Sequence, residues 1–280
     1  MKASSTRFAL ILLVALAVCS SYSQSDARKF FNAGVSKCKN GDYAGAIAEY
    51  TKAIELDSKY VKAYDARGTA RGAAKDDVGA IADHTKAIEL NPKYEFAYYN
   101  RGNAEFNLRE YTNAIVDFTK AIELDPQDAA AYLNRGNARY ALKDYSPAIA
   151  DYDIAIRLNP QCAKAYRMRG AAKYRLGEFD NAIADLNKAV ALDPKYEEAY
   201  NDRGASKVWL NEFDDAMVDL SKAIELNPHD PKAYNNRGNA KRGLKDYDGA
   251  IADYDRAIAL DPQYANAYTN RAELRALKRQ

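Results

Sequence analysis

The chain has 280 residues, of which 48% are hydrophobic and 29% are charged, and its formal net charge is +2 at pH 7. This balance is typical of a folded globular protein and excludes a mainly disordered chain. Because the chain lacks the excess of Lys and Arg that nucleic-acid binding requires, we expect no nucleic-acid partner.

The N-terminal residues, 1–23, have the pattern of a secretory signal peptide. Lys2 and Arg7 precede an apolar run over 8–19, which is shorter than the roughly 20 residues of a membrane-spanning helix. The run ends in Leu-Ala-Val-Cys, which also resembles a bacterial lipoprotein box, although Val18 is larger than the residue expected before the Cys. We expect a secreted, periplasmic or secretory-pathway protein that contacts a membrane only through an uncleaved leader.

From residue 27 onward the sequence repeats every 34 residues. Pro recurs at this interval from Pro92 to Pro262, and Ala recurs from Ala46 to Ala250. A fixed period of this length indicates an array of stacked structural units. The frame gives seven units without insertion or deletion and then a C-terminal capping helix, with these bounds: 27–60, 61–94, 95–128, 129–162, 163–196, 197–230, 231–264 and, for the cap, 265–280.

Within each unit the spacing of apolar residues predicts two helices. Helix A covers about positions 2–14 of the unit and helix B about positions 18–31, as the apolar series Ala114, Ile115, Phe118, Ala121 shows for helix B of the third unit. The Pro at position 32 cannot continue helix B. Since one such pair cannot bury its own apolar face, the units are expected to stack.

The recurring residues resemble the tetratricopeptide repeat (TPR) family. An aromatic residue stands at position 4 in every unit, Gly at position 8, Ala at positions 20 and 27, and Pro at position 32 in most units. The resemblance spans residues 27–280 and implies an all-α, right-handed superhelical solenoid of antiparallel helix pairs. It also implies a non-enzymatic scaffold that binds a protein or peptide in a concave groove lined by helix A.

Two series of charged residues depart from the family pattern. Position 7, apolar in the family, is Arg from the second unit onward, and position 23 is always acidic. The arginines are Arg67, Arg101, Arg135, Arg169, Arg203, Arg237 and Arg271. The acids are Glu49, Asp83, Asp117, Asp151, Asp185, Asp219 and Asp253.

We expect each of these arginines to pair with an acid, because an unpaired buried charge is costly. The first unit has the acid but Ala33 at position 7, and the last helix has Arg271 but no helix B. This offset predicts that the acid of one unit pairs with the Arg of the next. The alternative, an anion site made of seven arginines, is less favoured because an acid is available for each. The predicted inter-repeat pairs are Glu49–Arg67, Asp83–Arg101, Asp117–Arg135, Asp151–Arg169, Asp185–Arg203, Asp219–Arg237 and Asp253–Arg271.

Candidate ligand contacts lie on helix A. In the resembled family, extended peptides meet helix A positions 2, 5, 6, 9, 12 and 13, where this chain repeatedly has Asn. An Asn amide both donates and accepts, so it can bond a peptide backbone; the alternative is that these Asn are merely soluble helix residues. Aromatic and basic neighbours supply apolar surface and charge. The predicted peptide-binding residues are Tyr99, Asn100, Asn103, Phe106, Asn134, Asn137, Tyr140, Lys164, Arg167 and Arg175.

One subfamily of the resembled family clamps a C-terminal carboxylate with five polar residues spread over three units. Asn103, Asn134 and Lys164 match three of these five positions, but Tyr99 and Met168 stand where Lys and Arg are needed. This departure speaks against a true clamp. We expect instead an extended peptide, acidic in character, across the third to fifth units.

No arrangement of residues in the sequence points to catalysis. Only His84 and His229 could serve as imidazole bases, and no zinc-ligand spacing or phosphate-binding Gly-Lys-Ser/Thr loop occurs. His84 stands at the helix B aromatic position and is expected to fill the core. We therefore expect no enzyme, no cofactor and no metal. The alternative function is a structural or assembly factor that self-associates into homo-oligomers.

Overall fold

The computed structural model describes residues 24–278, and all regular structure in that range is α-helical. None of the helices in this range is both long and apolar enough to cross a bilayer. The helices are α1 (24–39), α2 (Tyr43–Leu56), α3 (Val61–Ala73), α4 (Asp77–Leu90), α5 (Glu95–Asn107), α6 (Tyr111–Leu124), α7 (Ala129–Ala141), α8 (Tyr145–Leu158), α9 (Ala163–Arg175), α10 (Phe179–Leu192), α11 (Glu197–Trp209), α12 (Phe213–Leu226), α13 (Pro231–Gly243), α14 (Tyr247–Leu260) and α15 (Ala265–Leu277).

The odd-numbered helices from α3 onward are the A helices and the even-numbered helices are the B helices. Both types begin and end one residue earlier than the apolar pattern predicts. The Asp or Asn at position 31 explains the end of helix B, because its backbone is extended and its side chain accepts the N–H two residues later. In the first repeat, Asp57 accepts from the Lys59 N–H at 3.0 Å.

The turn from helix A to helix B has one residue at position 15 in the left-handed region. Glycine adopts this conformation without steric cost, whereas other residues do so at some cost. Only two of the seven repeats have glycine there. The residues and their φ angles are Gly41 (77°), Lys75 (68°), Arg109 (63°), Lys143 (64°), Gly177 (80°), Asn211 (62°) and Lys245 (64°).

Helix A approaches helix B closely at the glycine of position 8. A methyl group at Gly34 would lie 2.6 Å from Tyr50, and one at Gly204 would lie 2.6 Å from Leu220. The residue at position 24 fills the space that the missing side chain leaves. His84 occupies this position with 1% exposure, which confirms the expected core role. The buried residues at position 24 are Tyr50, His84, Phe118, Tyr152, Leu186, Leu220 and Tyr254.

Packing divides the chain into two compact parts, with the boundary after Ala138. From here on, the first unit is the part up to Ala138, the second unit is the part after it, and each 34-residue unit of the sequence is called a repeat. In the first unit, consecutive helices pack against each other, as α3 does on α2 and α4. Alanines at positions 20 and 27 let the helices approach, and one larger side chain per repeat fills each layer. Ala114, Phe118 and Ala138 form one such cluster, with Tyr99 and Phe106 packed against it.

The second unit repeats this packing from α8 to α15. One of its clusters joins Leu186 and Val190 to three alanines, with Tyr166 and Tyr200 packed against them. Successive A helices also contact each other, α9 with α11, α11 with α13, and α13 with α15. The A helices therefore form one face of this unit, as α3 and α5 do in the first unit, and we call it the helix A face of each unit.

Candidate functional site

In the five repeats whose pairs the structure describes, the arginine at position 7 binds the acid of its own repeat, so the predicted inter-repeat pairing is wrong. Arg67 donates through Nε to Asp83 at 2.9 Å and through Nη2 at 2.7 Å, and Arg237 binds Asp253 in the same forked way. The two residues stand 16 positions apart, on the surfaces of helices A and B that face each other within one hairpin. The same fork joins Arg101 to Asp117, Arg169 to Asp185 and Arg203 to Asp219.

The residues at the two ends of the series, which suggested the wrong pairing, have other partners. Glu49 accepts from Lys37 Nζ at 2.9 Å, from position 11 of its own repeat. Arg271 binds Asp255 of the preceding repeat. Within residues 24–278, none of the seven predicted pairs between repeats forms: Glu49–Arg67, Asp83–Arg101, Asp117–Arg135, Asp151–Arg169, Asp185–Arg203, Asp219–Arg237 and Asp253–Arg271. The contacts described above take their place, together with the ion pair of Asp151 with Arg139.

The link between repeats runs instead from the Arg to position 25 of the preceding helix B. Arg101 Nη1 donates to Thr85 Oγ1 at 3.0 Å, and Arg203 Nη1 donates to Asn187 Oδ1 at 2.7 Å. One guanidinium thus joins three helices, because it has donors on several sides. The other links of this kind are Arg67 with Thr51, Arg135 with Thr119, Arg169 with Asp153 and Arg271 with Asp255.

A second cation, at position 11, also binds the acid in most repeats. Lys207 Nζ lies 2.8 Å from Asp219, and Lys241 Nζ lies 2.8 Å from Asp253. The family pattern has an aromatic residue at position 11, so this chain has charged residues in place of apolar ones at both position 7 and position 11. The third repeat is different, because Glu105 occupies position 11 and is 8% exposed. Burial and the neighbouring Asp117 raise the pKa of Glu105 to about 7.

Three of the four predicted groove asparagines of the first unit, Asn100, Asn103 and Asn134, bond to a neighbouring repeat. Asn134 Nδ2 donates to Asn103 Oδ1 at 2.9 Å and to the Tyr99 hydroxyl at 3.1 Å. Asn100 Nδ2 donates to Asp65 Oδ1 at 3.0 Å. Asn137 contacts Asn134 at 3.4 Å. These amides therefore have a structural task along the helix A face, and their role in binding a ligand stays a prediction.

The two predicted aromatic residues of the first unit pack against the core side of the repeat. The Tyr99 ring lies 5.9 Å from Phe118, and the Phe106 ring lies 5.2 Å from Tyr111. Tyr99 also borders a small pocket of about 340 Å³ between the start of α5, the end of α6 and the start of α7, beside the half-exposed Phe96. The other residues of this pocket are Glu95, Ala121, Asp125, Asp128 and Ala130.

The predicted residues of the second unit separate into two groups. Arg175 and Tyr140 line a groove of the second unit, whereas Lys164 and Arg167 do not. Lys164 is exposed, and Arg167 binds Asp202 at 2.8 Å. Arg175 donates to the Tyr145 hydroxyl at 3.2 Å, with its guanidinium over that ring.

That groove, which we call the C-terminal groove, has a volume of about 720 Å³ and lies on the helix A face of the second unit. Helices α9, α11, α13 and α15 supply most of its wall. The sequence reasoning missed it because it centred the site on the third to fifth repeats. Its polar and aromatic lining consists of Tyr140, Tyr174, Arg175, Asn201, Asp202, Trp209, Asn211, Phe213, Lys232, Asn235, Asn236, Asn239, Arg242, Tyr264, Asn266, Thr269 and Asn270.

A ladder of amides forms the floor of the C-terminal groove. Asn236 Nδ2 donates to Asn201 Oδ1 at 2.9 Å, and Asn270 Nδ2 donates to Asn235 Oδ1 at 2.9 Å and to Asn239 Oδ1 at 3.2 Å. Asn201 and Asn235 are buried, so the ladder fixes the orientation of its more exposed members. The density of Asn in the segments "NNRGNA" and "ANAYTN" is the sequence signal that could have located this site.

An aromatic wall stands beside this floor. Trp209, the only Trp of the chain, is 62% exposed, and its ring stacks on Phe179 at 5.5 Å with an interplanar angle of 3°. Its Nε1 donates to the Tyr174 hydroxyl at 2.7 Å. The indole is therefore held in one orientation, so it offers a flat apolar surface to a ligand without further ordering.

The side chains of residues 24–278 do not gather into a group of three or more His, Cys, Asp or Glu that could hold a metal ion. The imidazole of His84 lies against Asp65, with Nδ1 at 2.9 Å from Oδ1, and both residues are buried. The C-terminal groove combines amides, aromatic rings and cations, which is chemistry suited to binding rather than to bond cleavage.

Sequence comparison identifies the family. Models described as "Tetratricopeptide repeat" match residues 96–128, 137–207 and 231–264, and a model described as "TPR repeat" matches residues 34–73 and 209–245. Together these matches cover more than half of the chain. No curated protein sequence matches it.

Solved structures show the same fold. YrrB, described as a TPR protein with an unusual peptide-binding site, is 26% identical, with a TM-score of 0.55 over 68% of this chain and 97% of its own. The MamA protein is 28% identical, with a TM-score of 0.56 over 61% of this chain and 93% of its own. A tetratricopeptide repeat protein from Parabacteroides merdae, at 17% identity, aligns over 89% of this chain and 99% of its own with a TM-score of 0.68.

These matches agree with the 34-residue frame, the paired helices and the small residues at the helix contacts. The family's fold is generally that of a scaffold for protein–protein interaction, without enzymatic activity. The chain therefore belongs to the tetratricopeptide repeat family.

Proposed function

We propose that this protein is a scaffold that binds an extended segment of a partner protein in the C-terminal groove. The observation that carries the proposal is the coincidence, in one groove of about 720 Å³, of an amide floor, an exposed Trp and several cations. A related fold supports it, since YrrB is described as having a peptide-binding site.

The amide floor suits the backbone of an extended peptide. Asn239 Oδ1 already accepts from the Tyr254 hydroxyl at 2.8 Å and from Asn270, so its Nδ2 is directed to other acceptors. Amides bond backbone N–H and C=O groups whatever the side chain, so the floor gives affinity and leaves selectivity to the walls. Trp209 and Phe213 provide the surface against which an apolar side chain of the ligand would pack.

The experiment is selection of a phage-displayed library of random dodecapeptides on the immobilised chain. Selected peptides are then synthesised with a fluorescein label and titrated by fluorescence anisotropy. We expect saturable binding, together with a change in the emission of Trp209, the single Trp. A selection that enriches no peptide above a blank surface would contradict the proposal.

The variant Trp209→Ala tests the location of the site. We expect a loss of affinity of about tenfold or more, because aromatic residues dominate such interfaces. The matched control is Val218→Ala on α12, which is 69% exposed, compared with 62% for Trp209, and does not line the groove. Equal affinity of both variants for the selected peptides would place binding elsewhere.

We further propose that the protein is exported, on the strength of the basic, then apolar, then Ser-rich sequence of residues 1–25. N-terminal sequencing of the protein from its native compartment tests this: cleavage close to residue 24 is the expected result. Self-association stays a prediction, and sedimentation velocity over a range of concentrations separates it from partner binding alone.

A further inference from the structure

The charges that line the C-terminal groove are mostly positive. Arg175, Lys232 and Arg242 line it and are exposed, whereas Asp202 is the only carboxylate among its described lining residues. Asp202 is already bound by Arg167, whose Nε lies 2.8 Å from Oδ2. The groove therefore presents cations whose charge is not balanced within its own lining.

These groove cations differ from the arginines at position 7. Each fully described position 7 fork has a buried carboxylate, as Arg203 has in Asp219. In contrast, no carboxylate within residues 24–278 forms an ion pair with Arg175 or Lys232, and the polar partner of Arg175 is the Tyr145 hydroxyl. Arg242 lies 3.5 Å from Glu273, which is itself largely exposed. Carboxylates of an incoming ligand can therefore bind these cations without breaking a buried pair.

The spacing of the cations sets the length of chain that joins two acidic contacts. Lys232 and Arg242 stand ten residues apart on α13, which is about 15 Å along the helix axis. An extended peptide advances about 3.3 Å per residue, so about five residues span this distance. Asn235, Asn236 and Asn239 lie between the two cations on the same helix, and Trp209 borders the groove.

We propose that the partner segment is acidic, with two carboxylates about five residues apart and an apolar side chain between them. The carboxylates bind Lys232 and Arg242, the backbone binds the Asn ladder, and the apolar side chain packs on Trp209. Arg175 adds positive charge at the α9 side of the groove. This inference rests on the proposed function and names the chemistry of its ligand.

The test compares the chain with two triple variants in the dodecapeptide selection. Arg175→Gln, Lys232→Gln and Arg242→Gln remove the groove cations. Arg157→Gln, Lys188→Gln and Lys195→Gln remove three exposed cations that do not line the groove, so the change in net charge is the same. Each peptide is also titrated at low and high ionic strength.

We expect peptides selected on the unmodified chain to carry pairs of Asp or Glu about five residues apart. Their affinity should fall at least tenfold in the groove variant, stay within twofold in the control variant and weaken with salt. Enrichment of peptides without acidic pairs, or equal affinity in both variants, overturns the acidic ligand while peptide binding stands. Enrichment of no peptide at all overturns the proposed function itself.

Discussion

The third repeat, residues 95–128, and the sixth, residues 197–230, are built on the same frame but stabilise their buried acid differently. Both place an Arg fork on an Asp of helix B, Arg101 on Asp117 and Arg203 on Asp219. In the sixth repeat, Lys207 adds a second cation at 2.8 Å. In the third, Glu105 adds a second carboxyl group at the same position.

The difference shows that the same buried position can carry either a second cation or a second carboxyl group, provided that the carboxyl group binds a proton. Two cations, Arg203 and Lys207, lie against the buried Asp219. Around Asp117 a single guanidinium faces two carboxyl groups, and the buried Oε2 of Glu105 has no hydrogen-bond partner. Burial and Asp117 raise the pKa of Glu105 to about 7, so this residue takes up the proton that balances the site.

The largest expected effect is the removal of the acid in the sixth repeat. Asp219→Asn leaves Arg203 and Lys207 without a buried counter-charge, and we expect the free energy of unfolding to fall by about 3–5 kcal/mol. Asp117→Asn should cost roughly half as much, because it also relieves the repulsion from Glu105. Urea unfolding followed by far-UV circular dichroism measures both; equal losses would remove the distinction between the two repeats.

The pH dependence of stability is the next largest effect. The pKa of Glu105 is about 7 in the folded chain, against 4.5 for an ordinary Glu, so the folded state holds its proton more tightly. The stability that this proton provides is complete below pH 4.5 and is lost as the pH rises through 7. At about 1.4 kcal/mol per pKa unit, we expect a loss of roughly 2–3 kcal/mol between pH 4.5 and 8.

Glu197 adds a similar pH dependence to the free energy of unfolding, since burial and Asp230 raise its pKa to about 7. Glu105→Gln should therefore reduce the pH dependence, and the double variant with Glu197→Gln should reduce it further. Hydrogen exchange at pH 6 and pH 8 assigns each part, because the Glu105 term should appear in α5 and α6. A pH profile unchanged by Glu105→Gln would show that Glu105 does not hold the proton.

Glu105→Lys converts the charge pattern of the third repeat into that of the sixth. Lys at position 11 would pair with Asp117 as Lys207 pairs with Asp219, so we expect a gain of about 1–2 kcal/mol at pH 8. At pH 5, where Glu105 is protonated, the gain should be much smaller. The reverse change, Lys207→Glu, is the matched control and should destabilise the chain at pH 8.

The smallest effect concerns the turns of the same two repeats. Arg109 and Asn211 occupy the left-handed turn position, with φ of 63° and 62°. Arg109→Gly should stabilise the chain by about 0.5–1 kcal/mol, and Asn211→Gly by less, because Asn tolerates this conformation better. Thermal unfolding of both variants checks the order; a larger gain at Asn211 would contradict this account of the turns.

The sequence was sufficient for the helix pairs and for much of their packing. The 34-residue period predicted the helices to within one residue, and the position of His84 predicted its burial. The partner of each arginine was predicted wrongly, because the offset between the two series at the chain ends has a cause other than pairing between repeats. Lys37 and Asp255, which belong to neither series, are the partners of Glu49 and Arg271.

The groove was harder to predict for a different reason. Positions 2, 5, 6, 9, 12 and 13 are equivalent in every repeat, so the pattern alone does not say where they enclose a volume. The C-terminal groove depends on the exposure and stacking of Trp209, and on amides that bond across neighbouring helices. These are properties of side-chain packing that a repeat pattern does not contain.

Most of the position 7 arginines donate a hydrogen bond to the preceding helix B, and this bond bears on how such a chain can change in length. The acceptor is a Thr for Arg67 and Arg101, an Asp for Arg169 and an Asn for Arg203. The junction thus requires only an oxygen at one position, neutral in Thr or Asn and charged in Asp, while the forked ion pair with the acid of helix B stays inside the hairpin. A stretch of 34 residues can therefore be duplicated or deleted without the need to re-match charges on either side of it.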